Sequence, residues 1–579
     1  MSKQRARGWY RSLFARRFAQ TGTPPAKVRL ELLTFEEKAL PSISIPLNGF
    51  TWTHVGPSPI AVGQGPGSPP STGRINDIAV DPNTTGSDTL YVASDSGGIW
   101  RTTDDGQTWS PRTDTQQMYM QAITMIHRTG GNTVYAFDQL GNFYVSLDGG
   151  TTFSQNTDPF GLGGNTNQFG AAGPVVNKLL AVAVDPTDPT QDILYAAVGS
   201  GESEPPSLFP GAVFGSGIWR STDGGATWAN IVDSTAAPFS SGTTTIPANS
   251  LSFTDVAVDP TNSNVVYAAI GNTFGDPTNG VYRSTNALSA SPTWSLLIGG
   301  SAFVPGENPG NIKLAISPTQ PSTVFASLAL RTDPQTGFAP LLGVFRTQDA
   351  GTNWAPVLLA NPNSPVNDPN NYMDIFGDDN NFIAVAPNGS TDPNQQTVYV
   401  GGFGSTLNAT VLISTNSGAS WTPIGIGANG IGTYPNIHDG GFDSQGRLVV
   451  ATGGGVYRLD STAPVTWVSL NGTTGPTALD VSQFNGFALN PTNADQAVGN
   501  VSFSGDLAFN AGPSLHNALF FADNPGAGDS AYGWQTVDAN GFDGYVGSGQ
   551  VIYNPFNPNI VYRVAPGNNG QNQFIRRST

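Results

Sequence analysis

The chain contains 579 residues, among them 71 glycines, 45 prolines and no cysteine, and its formal net charge is −17. Abundant glycine and proline favour short strands joined by turns and exclude a helical bundle or coiled coil, while the lack of cysteine excludes disulfides and thiolate metal sites. An acidic body repels phosphate, which excludes nucleic acid and anionic lipid as partners, and no apolar run is long enough for insertion into a membrane as a helix.

Residues 1–45 are predicted to be a basic leader or a disordered tail. Residues 1–39 carry nine lysines and arginines against three glutamates, whereas the rest of the chain carries 15 against 38 acidic residues. Arginines interleaved with large apolar residues also fit a short amphipathic segment, although no apolar stretch has the length of a signal peptide. The sequence from Val28 to Ser42 resembles leaders ahead of large secreted repeat proteins in some bacteria, and this resemblance implies export.

From residue 46 to residue 579 the chain is predicted to form one repeat domain, with a division into two lobes left open. An apolar strand ends in a turn and is followed by a strand rich in Val, Tyr and Ala, as in Ile78–Asn83 followed by Leu90–Ala93. The Asp-Pro and Asn-Pro pairs in these units initiate turns, because proline presets its dihedral and the preceding side chain accepts a backbone bond. Eight further copies turn at or near His127, Asp185, Asp259, Ser317, Ala386, Asp443, Asn490 and Asn554.

A second pattern, Ser/Thr-x-Asp-x-Gly-x-Thr-Trp, follows the first in most units. Its clearest copy is Ser221–Trp228. The acidic and hydroxyl oxygens accept backbone N–H groups, glycine takes the positive-φ position, and the Trp buries a large ring at the start of the next strand. The positions predicted to have this structural role are Asp104, Asp148, Asp223, Asp349, Trp109, Trp228, Trp354 and Trp421.

This eight-residue pattern is identified as the Asp-box, or BNR, repeat. The family includes sialidases, two-lobed xyloglucanases, sortilin-type receptors and bacterial surface proteins. The resemblance implies an all-β propeller of four-stranded antiparallel blades, with the box between the third and fourth strands. Nine units predict about nine blades, which agrees with stacking of repeats that cannot bury a face alone. Three arrangements stay open: one ring closed by a strand at Thr51–Pro57, two smaller propellers, or a chain that stops within its last blade.

Two activities of this family are disfavoured by the residues present. A sialidase needs an arginine cluster and an Arg-Ile-Pro motif, and the nearest match is Arg74-Ile75 followed by Asn76. A sortilin-type receptor adds a cysteine-rich module, and this chain has no cysteine. The box aspartates are spread around the ring and are predicted to be structural. A structural role is also predicted for five arginines that recur at one repeat position: Arg101, Arg220, Arg283, Arg346 and Arg458.

Paired carboxylates are the candidates for catalysis. A xyloglucanase-like inverting hydrolase needs two of them about 6.5–9.5 Å apart. Asp374 is the candidate for one partner, and Asp439 or Asp543 for the other. Asp374, Asp378 and Asp379 also offer hard oxygen ligands for Ca²⁺, but they lack EF-hand spacing. No other cofactor is expected.

Candidate binding residues lie in an insertion and in one inner strand. Glu202 and Glu204 lie in one predicted loop, although glutamate is rare in this chain. His438 directly precedes Asp439. The main expectation is an exported or cell-surface propeller that acts as a binding or scaffold module for a glycan or protein ligand, with loops on one face and the channel mouth as its contact surface. The alternative is a glycoside hydrolase that acts on a polysaccharide. The oligomeric state stays open.

Overall fold

The chain forms antiparallel β-sheets in a computed structural model, and all described residues belong to the compact unit His54–Thr579. The structure describes residues 59, 66–67, 69–81, 84, 86–114, 120–126, 132–138, 142–156, 178–184, 193–199, 216–232, 238–239, 251–360, 368–472, 477–489, 491–492, 497–502, 518–522, 534–536, 551–565 and 574–577.

Nine sheets, each built from consecutive strands, are present in the described residues. Blades 1 to 4 contain β1 (Ile75–Val80), β2 (Leu90–Ser94), β3 (Gly98–Thr102), β4 (Ser110–Pro111); β5 (Met120–Ile126), β6 (Thr133–Asp138), β7 (Phe143–Ser146), β8 (Ser154–Asn156); β9 (Lys178–Val184), β10 (Leu194–Gly199), β11 (Gly217–Ser221), β12 (Ala229–Asn230); and β13 (Phe253–Val258), β14 (Val266–Ile270), β15 (Gly280–Ser284), β16 (Trp294–Gly299).

Blades 5 to 7 contain β17 (Pro309–Ile316), β18 (Val324–Leu330), β19 (Leu341–Thr347), β20 (Ala355–Leu359); β21 (Phe382–Val385), β22 (Val398–Gly401), β23 (Val411–Ser414), β24 (Thr422–Pro423); and β25 (Ile437–Phe442), β26 (Leu448–Thr452), β27 (Gly455–Thr462), β28 (Val465–Ser469). Two further sheets contain β29 (Gln483–Leu489), β30 (Ala497–Ser502), β31 (Ala518–Ala522), β32 (Trp534–Thr536) and β33 (Val551–Asn554), β34 (Asn557–Ala565), β35 (Phe574–Arg577). Short 3₁₀ helices span Gly300–Ala302 and Leu407–Thr410.

Seven of these sheets form one closed ring. The innermost strands β1, β5, β9, β13, β17, β21 and β25 contact one another in this order, and β25 contacts β1. The other two sheets pack on each other through β29 and β33. The β-propeller of four-stranded antiparallel blades is therefore confirmed, but the expectation of about nine blades is wrong. The number of sequence repeats equals the number of sheets. A sheet belongs to the ring, however, only if its inner strand contacts the inner strands of the other ring sheets. The strand predicted at Thr51–Pro57 lies outside the described residues.

The aromatic residue after each repeated turn connects its blade to the preceding blade. The indole Nε1 of Trp294 donates to the carbonyl oxygen of Ile231 over 3.0 Å, and that of Trp421 donates to Val357 over 3.0 Å. Each acceptor lies in or next to the outermost strand of the preceding blade, so a buried ring keeps its polar N–H satisfied. The other aromatic residues of this position that pack in the same direction are Phe153, Trp228, Trp354 and Trp467.

The repeated arginine in the third strand connects its blade to the following one. Arg283 Nη1 donates to the carbonyl oxygen of Ala350 over 3.2 Å, and Arg346 Nη1 donates to that of Ser417 over 2.9 Å. Both acceptors lie in the repeated turn of the next blade. The predicted structural role of these arginines is confirmed at both positions.

The same two contacts close the ring between blades 7 and 1. Trp109 Nε1 donates to the carbonyl oxygen of Leu470 over 2.7 Å, and its backbone N–H donates to Thr477 over 2.6 Å. Arg458 Nη1 lies 3.7 Å from Asp105 Oδ1 in the first repeated turn. Blade 7 therefore meets blade 1 as any blade meets its successor, and seven blades complete the circle.

The two faces of the ring differ in their connections. Inner strands begin on one face, here called the upper face, and end on the lower face, where the repeated turns lie. The upper face carries the turns between second and third strands and the connections between blades. Loops positioned by a rigid scaffold are where ligand contacts concentrate. The longest connections all join strand ends on the upper face, namely residues 157–177, 200–216, 231–252 and 360–381.

Candidate functional site

The repeated turns on the lower face use their aspartates for internal hydrogen bonds. In the second turn, Asp148 Oδ1 accepts the backbone N–H of Thr152 over 2.9 Å, and Oδ2 accepts its hydroxyl over 2.7 Å. Glycine is required in the third turn, because Gly225 has φ +86° and a Cβ there would lie 2.1 Å from Phe143 of the preceding blade. The equivalent aspartates, each bound to the residue four positions later, are Asp104, Asp223 and Asp349.

Polar side chains from three blades meet at the upper ends of the inner strands. Arg74, just before β1, binds Asp379, just before β21, with Nη2–Oδ2 at 2.9 Å. Its Nε donates to Oδ1 of Asn76 over 2.6 Å, and Nδ2 of Asn76 lies 3.3 Å from Oδ1 of Asp95. His438 of β25 places Nδ1 3.5 Å from Arg74 Nη2. Blades 1, 6 and 7 therefore share one polar cluster, and of its members only Asp379 and His438 were sequence candidates.

His438 is a neutral, buried member of this cluster. Its side chain is 4% exposed, and burial, followed by the charge of Arg74, lowers the pKa of the imidazole to about 3, with Asp379 acting in the opposite direction. Within the described residues, Nε2 has no hydrogen-bond partner. The geometry gives His438 a buried place behind Arg74 instead of an open ligand contact.

The loop of residues 371–381 spans the ring from blade 5 to blade 1. Nδ2 of Asn311, near the upper end of β17, donates to the carbonyl oxygen of Gly377 over 3.1 Å. Two residues later, Asp379 binds Arg74 at the start of β1. Blades 5 and 1 are separated by two blades, so the loop crosses part of the channel mouth. The expected contact surface at the mouth is thus partly covered.

Asp374 lies in this loop as a buried carboxyl group. It is 5% exposed, its φ is +52°, and Oδ1 has no hydrogen-bond partner in the described part of the chain. Burial raises the pKa of Asp374 to about 7. The neighbouring Asp378 is exposed. No group of three or more His, Asp or Glu side chains that could hold a metal ion occurs among the described residues, so Asp374, Asp378 and Asp379 do not gather into such a site.

Asp439 lies beside a second carboxyl group on the neighbouring inner strand. Asp77 of β1 accepts the backbone N–H groups of Ile78 and Ile123, each over 2.7 Å. Burial, then the charge of Asp439 and a hydrogen bond with it, raise the pKa of Asp77 well above its usual range. Carboxyl groups bonded to each other are closer than the 5 Å or more that separates glycosidase pairs. The Asp77–Asp439 pair therefore joins blade 7 to blade 1.

Three more carboxylates lie in blade 1 or in the segment that packs on it. Asp95 is partly exposed on the turn between β2 and β3, and a Cβ on Gly97 would lie 2.8 Å from Cγ1 of Val481. Asp480, directly before Val481, is also partly exposed. Burial and then the charge of Asp480 raise the pKa of Asp114, which is exposed. The segment that carries Asp480 therefore packs on the turn that carries Asp95, although 385 positions separate the two residues in the sequence.

An aromatic pair lies on the same face. The rings of Phe376 and Phe403 have centroids 4.7 Å apart, and both side chains are partly exposed. Partly exposed rings present flat apolar area to a ligand, beside the exposed carboxylate of Asp378.

Three sequence candidates, Glu202, Glu204 and Asp543, lie outside the described residues. In the part of the chain that the structure describes, no helix is long and apolar enough to cross a membrane.

Comparisons with known proteins relate the chain to glycoside hydrolases. No protein-family model matches it. A xyloglucanase from a Paenibacillus species is 27% identical over 230 residues, which are 38% of this chain and 20% of the xyloglucanase. An ancestral GH74 enzyme has a TM-score of 0.56 at 16% identity, over 90% of this chain and 61% of that enzyme. The GH74 xyloglucanase from Xanthomonas campestris has a TM-score of 0.51 at 14% identity, over 89% of this chain and 74% of the other.

These similarities show the fold and nothing more, because the solved structures are less than 25% identical to the chain. The chain also spans a fifth of the length of the curated xyloglucanase that it matches, and 61% of the ancestral enzyme. What they share with it is the β-propeller of four-stranded antiparallel blades.

Proposed function

We propose that this propeller is a glycoside hydrolase that acts on a polysaccharide of the xyloglucan or β-glucan class. The observation that carries the proposal is that two segments with partly exposed carboxylates, Asp95 and Asp480, meet on the upper face, where Gly97 faces the Val481 side chain. The similarity to xyloglucanases supports this activity more strongly than the binding or scaffold module that the sequence alone favoured. A glycan, and not a protein, is then the ligand of the upper face.

The two carboxylates have different environments, as an acid and a base require. Asp95 accepts a hydrogen bond from Asn76, and such a bond favours the ionised form. We assign it as the base that activates water. Burial and then the charge of Asp480 raise the pKa of Asp114, so Asp114 keeps its proton to higher pH than an ordinary carboxyl group would. We assign the proton donor to the pair Asp114–Asp480, and the aromatic pair Phe376–Phe403 to substrate binding.

Two broader assignments belong to the same proposal. The repeated turns are assigned to the Asp-box, or BNR, family, since their aspartates make the internal bonds that this motif needs. The chain is assigned to export or the cell surface, since residues 28–42 resemble leaders of secreted repeat proteins.

The test is hydrolysis by the full chain. Release of reducing ends is measured with xyloglucan, mixed-linkage β-glucan and a sialoside, and we expect hydrolysis of a glucan. Because a general acid or base contributes about 10²–10⁴-fold, Asp95→Asn and Asp480→Asn should each lower kcat by that factor. The matched control is Asp392→Asn, an exposed aspartate on the lower face, which should leave kcat unchanged.

Two results would contradict the proposal. Tight binding of xyloglucan without release of reducing ends would assign the propeller as a binding module. Full activity of both variants would show that other carboxylates perform the reaction, with Asp374→Asn as the next variant to assay.

A further inference from the structure

We propose that Asn76 is a positioning residue that orients Asp95 and keeps it ionised, and that Arg74 fixes the orientation of Asn76. This inference rests on the proposed role of Asp95 as base. It is carried by a chain of hydrogen bonds that begins in the loop of residues 371–381 and ends at the Asp95 carboxylate.

The amide of Asn76 has one allowed orientation. The Nε of Arg74 is only a donor, and it lies 2.6 Å from Oδ1 of Asn76. The carbonyl oxygen of Met120 is only an acceptor, and it lies 2.7 Å from Nδ2. A flipped amide would place two donors together at one end and two acceptors at the other. The second N–H of Nδ2 is therefore directed to Oδ1 of Asp95, 3.3 Å away.

The backbone ties the same residues together. The backbone N–H of Asp95 donates to the carbonyl oxygen of Arg74 over 3.2 Å, so the turn that carries the carboxylate is fixed to the start of β1. Asn76 is 6% exposed, and the Arg74 side chain is 13% exposed. The Asn76 amide makes hydrogen bonds to Arg74, Met120 and Asp95, and a buried amide satisfied in this way keeps a single geometry.

The series of hydrogen bonds that leads to Asp95 begins just before the inner strand of blade 6. Nη2 of Arg74 lies 2.9 Å from Oδ2 of Asp379 and donates to Oδ1 over 3.1 Å, so one guanidinium nitrogen contacts both carboxylate oxygens. Asp379 thereby holds the Arg74 side chain that fixes Asn76. A donor to a carboxylate stabilises its ionised form, so removal of the Asn76 amide should make Asp95 easier to protonate.

The experiment compares Asn76→Ala in the full chain with Asn311→Ala. Asn311 is a matched control, since it is also a buried inner-strand amide and also binds this loop, but at Gly377 and Asp378. With xyloglucan as substrate, we expect Asn76→Ala to lower kcat about tenfold, the worth of about one hydrogen bond to a charged group, with KM within about twofold. The acidic limb of the kcat/KM profile should move up by about one pH unit. The control should keep the profile of the unmodified protein.

A second measurement does not depend on activity. Carbon-13 NMR of the carboxyl groups follows the titration of Asp95, which is assigned by the signal that Asp95→Asn removes. A raised Asp95 titration midpoint in Asn76→Ala, but not in Asn311→Ala, supports the inference. An unchanged midpoint in folded Asn76→Ala overturns it. Absence of hydrolysis by the unmodified chain overturns the proposed function alone, since the titration still tests the role of Asn76.

A second variant covers the case in which Asn76→Ala does not fold. Arg74→Lys keeps the positive charge but loses the planar fork that serves Asn76 and Asp379 together. We expect a smaller upward shift of the Asp95 midpoint, and an unchanged midpoint in this variant also overturns the inference.

Discussion

At the scale of single residues, Asp374 should control how stability depends on pH. Its folded-state pKa is about 7, against an ordinary value of 3.8, so between these pH values the folded chain holds a proton that the unfolded chain has released. Stability should therefore fall as pH rises from about 4 to about 7 and then level off. In Asp374→Asn this fall should be absent, which would make the variant more stable by up to about 4 kcal/mol above pH 7.

Urea unfolding at several pH values measures this difference. The curves for the two proteins should diverge between pH 4 and pH 7. Asp392→Asn, on the lower face, serves as the control and should follow the unmodified protein. Parallel curves for Asp374→Asn and the unmodified protein would show that this carboxyl group titrates normally.

The sequence identified some members of the upper-face site but not their partners. Asp379 and His438 stand out in short polar segments, whereas Arg74 stands out only as a poor match to a sialidase motif. A usable signal existed for Asp77, since Asp precedes an apolar run at the third position of two inner strands, β1 and β13, where the residues are Asp77 and Asp255. No local signal could relate Asp95 to Asp480, because their segments meet only where the chain after blade 7 packs on blade 1.

At the scale of one element, the repeated turn should lose its stabilising effect in acid. Burial opposes ionisation of Asp148, but hydrogen bonds from Thr152 and then Ser146 lower its pKa to about 2. The contribution is therefore complete above about pH 4 and is lost as pH falls through 2. We expect Asp148→Ala to lower the Tm by about 2 °C at pH 7 and to have no effect near pH 2.

Leu147→Ser is the matched control for this turn. Leu147 lies in the same turn and is 75% exposed, so its replacement should leave the Tm unchanged at both pH values. An equal Tm loss for Asp148→Ala at pH 7 and pH 2 would mean that the turn depends on packing and not on the carboxylate.

At the scale of the whole molecule, the contact between blades 7 and 1 should contribute as much to stability as the contact between any other two neighbouring blades. Trp109 is 3% exposed, and Trp109→Phe keeps an aromatic ring but removes the donor to Leu470. A buried carbonyl group left without its donor costs about 1–3 kcal/mol, which urea unfolding can measure. Trp421→Phe, at the seam between blades 5 and 6, is the comparison and should have a similar effect.

If Trp109→Phe left the free energy of unfolding unchanged while Trp421→Phe lowered it, the result would contradict a seven-bladed ring. The sequence predicted the strands and turns of a blade, because those signals are local. It could not predict seven blades, because that number depends on which blade packs against Trp109 of blade 1. This contact joins residues far apart in the sequence and has no local signal.

The loop of residues 371–381 has a consequence for long substrates. The loop joins blade 5 to blade 1 above the inner strands, so a polymer at the upper face meets a channel mouth that is partly covered. If the proposed function holds, a sugar chain should lie flat along the surface, with both of its ends free in solvent. Under the proposed function, linkages in the interior of the polymer reach the carboxylates without prior trimming, so the first products should be long fragments instead of single sugars.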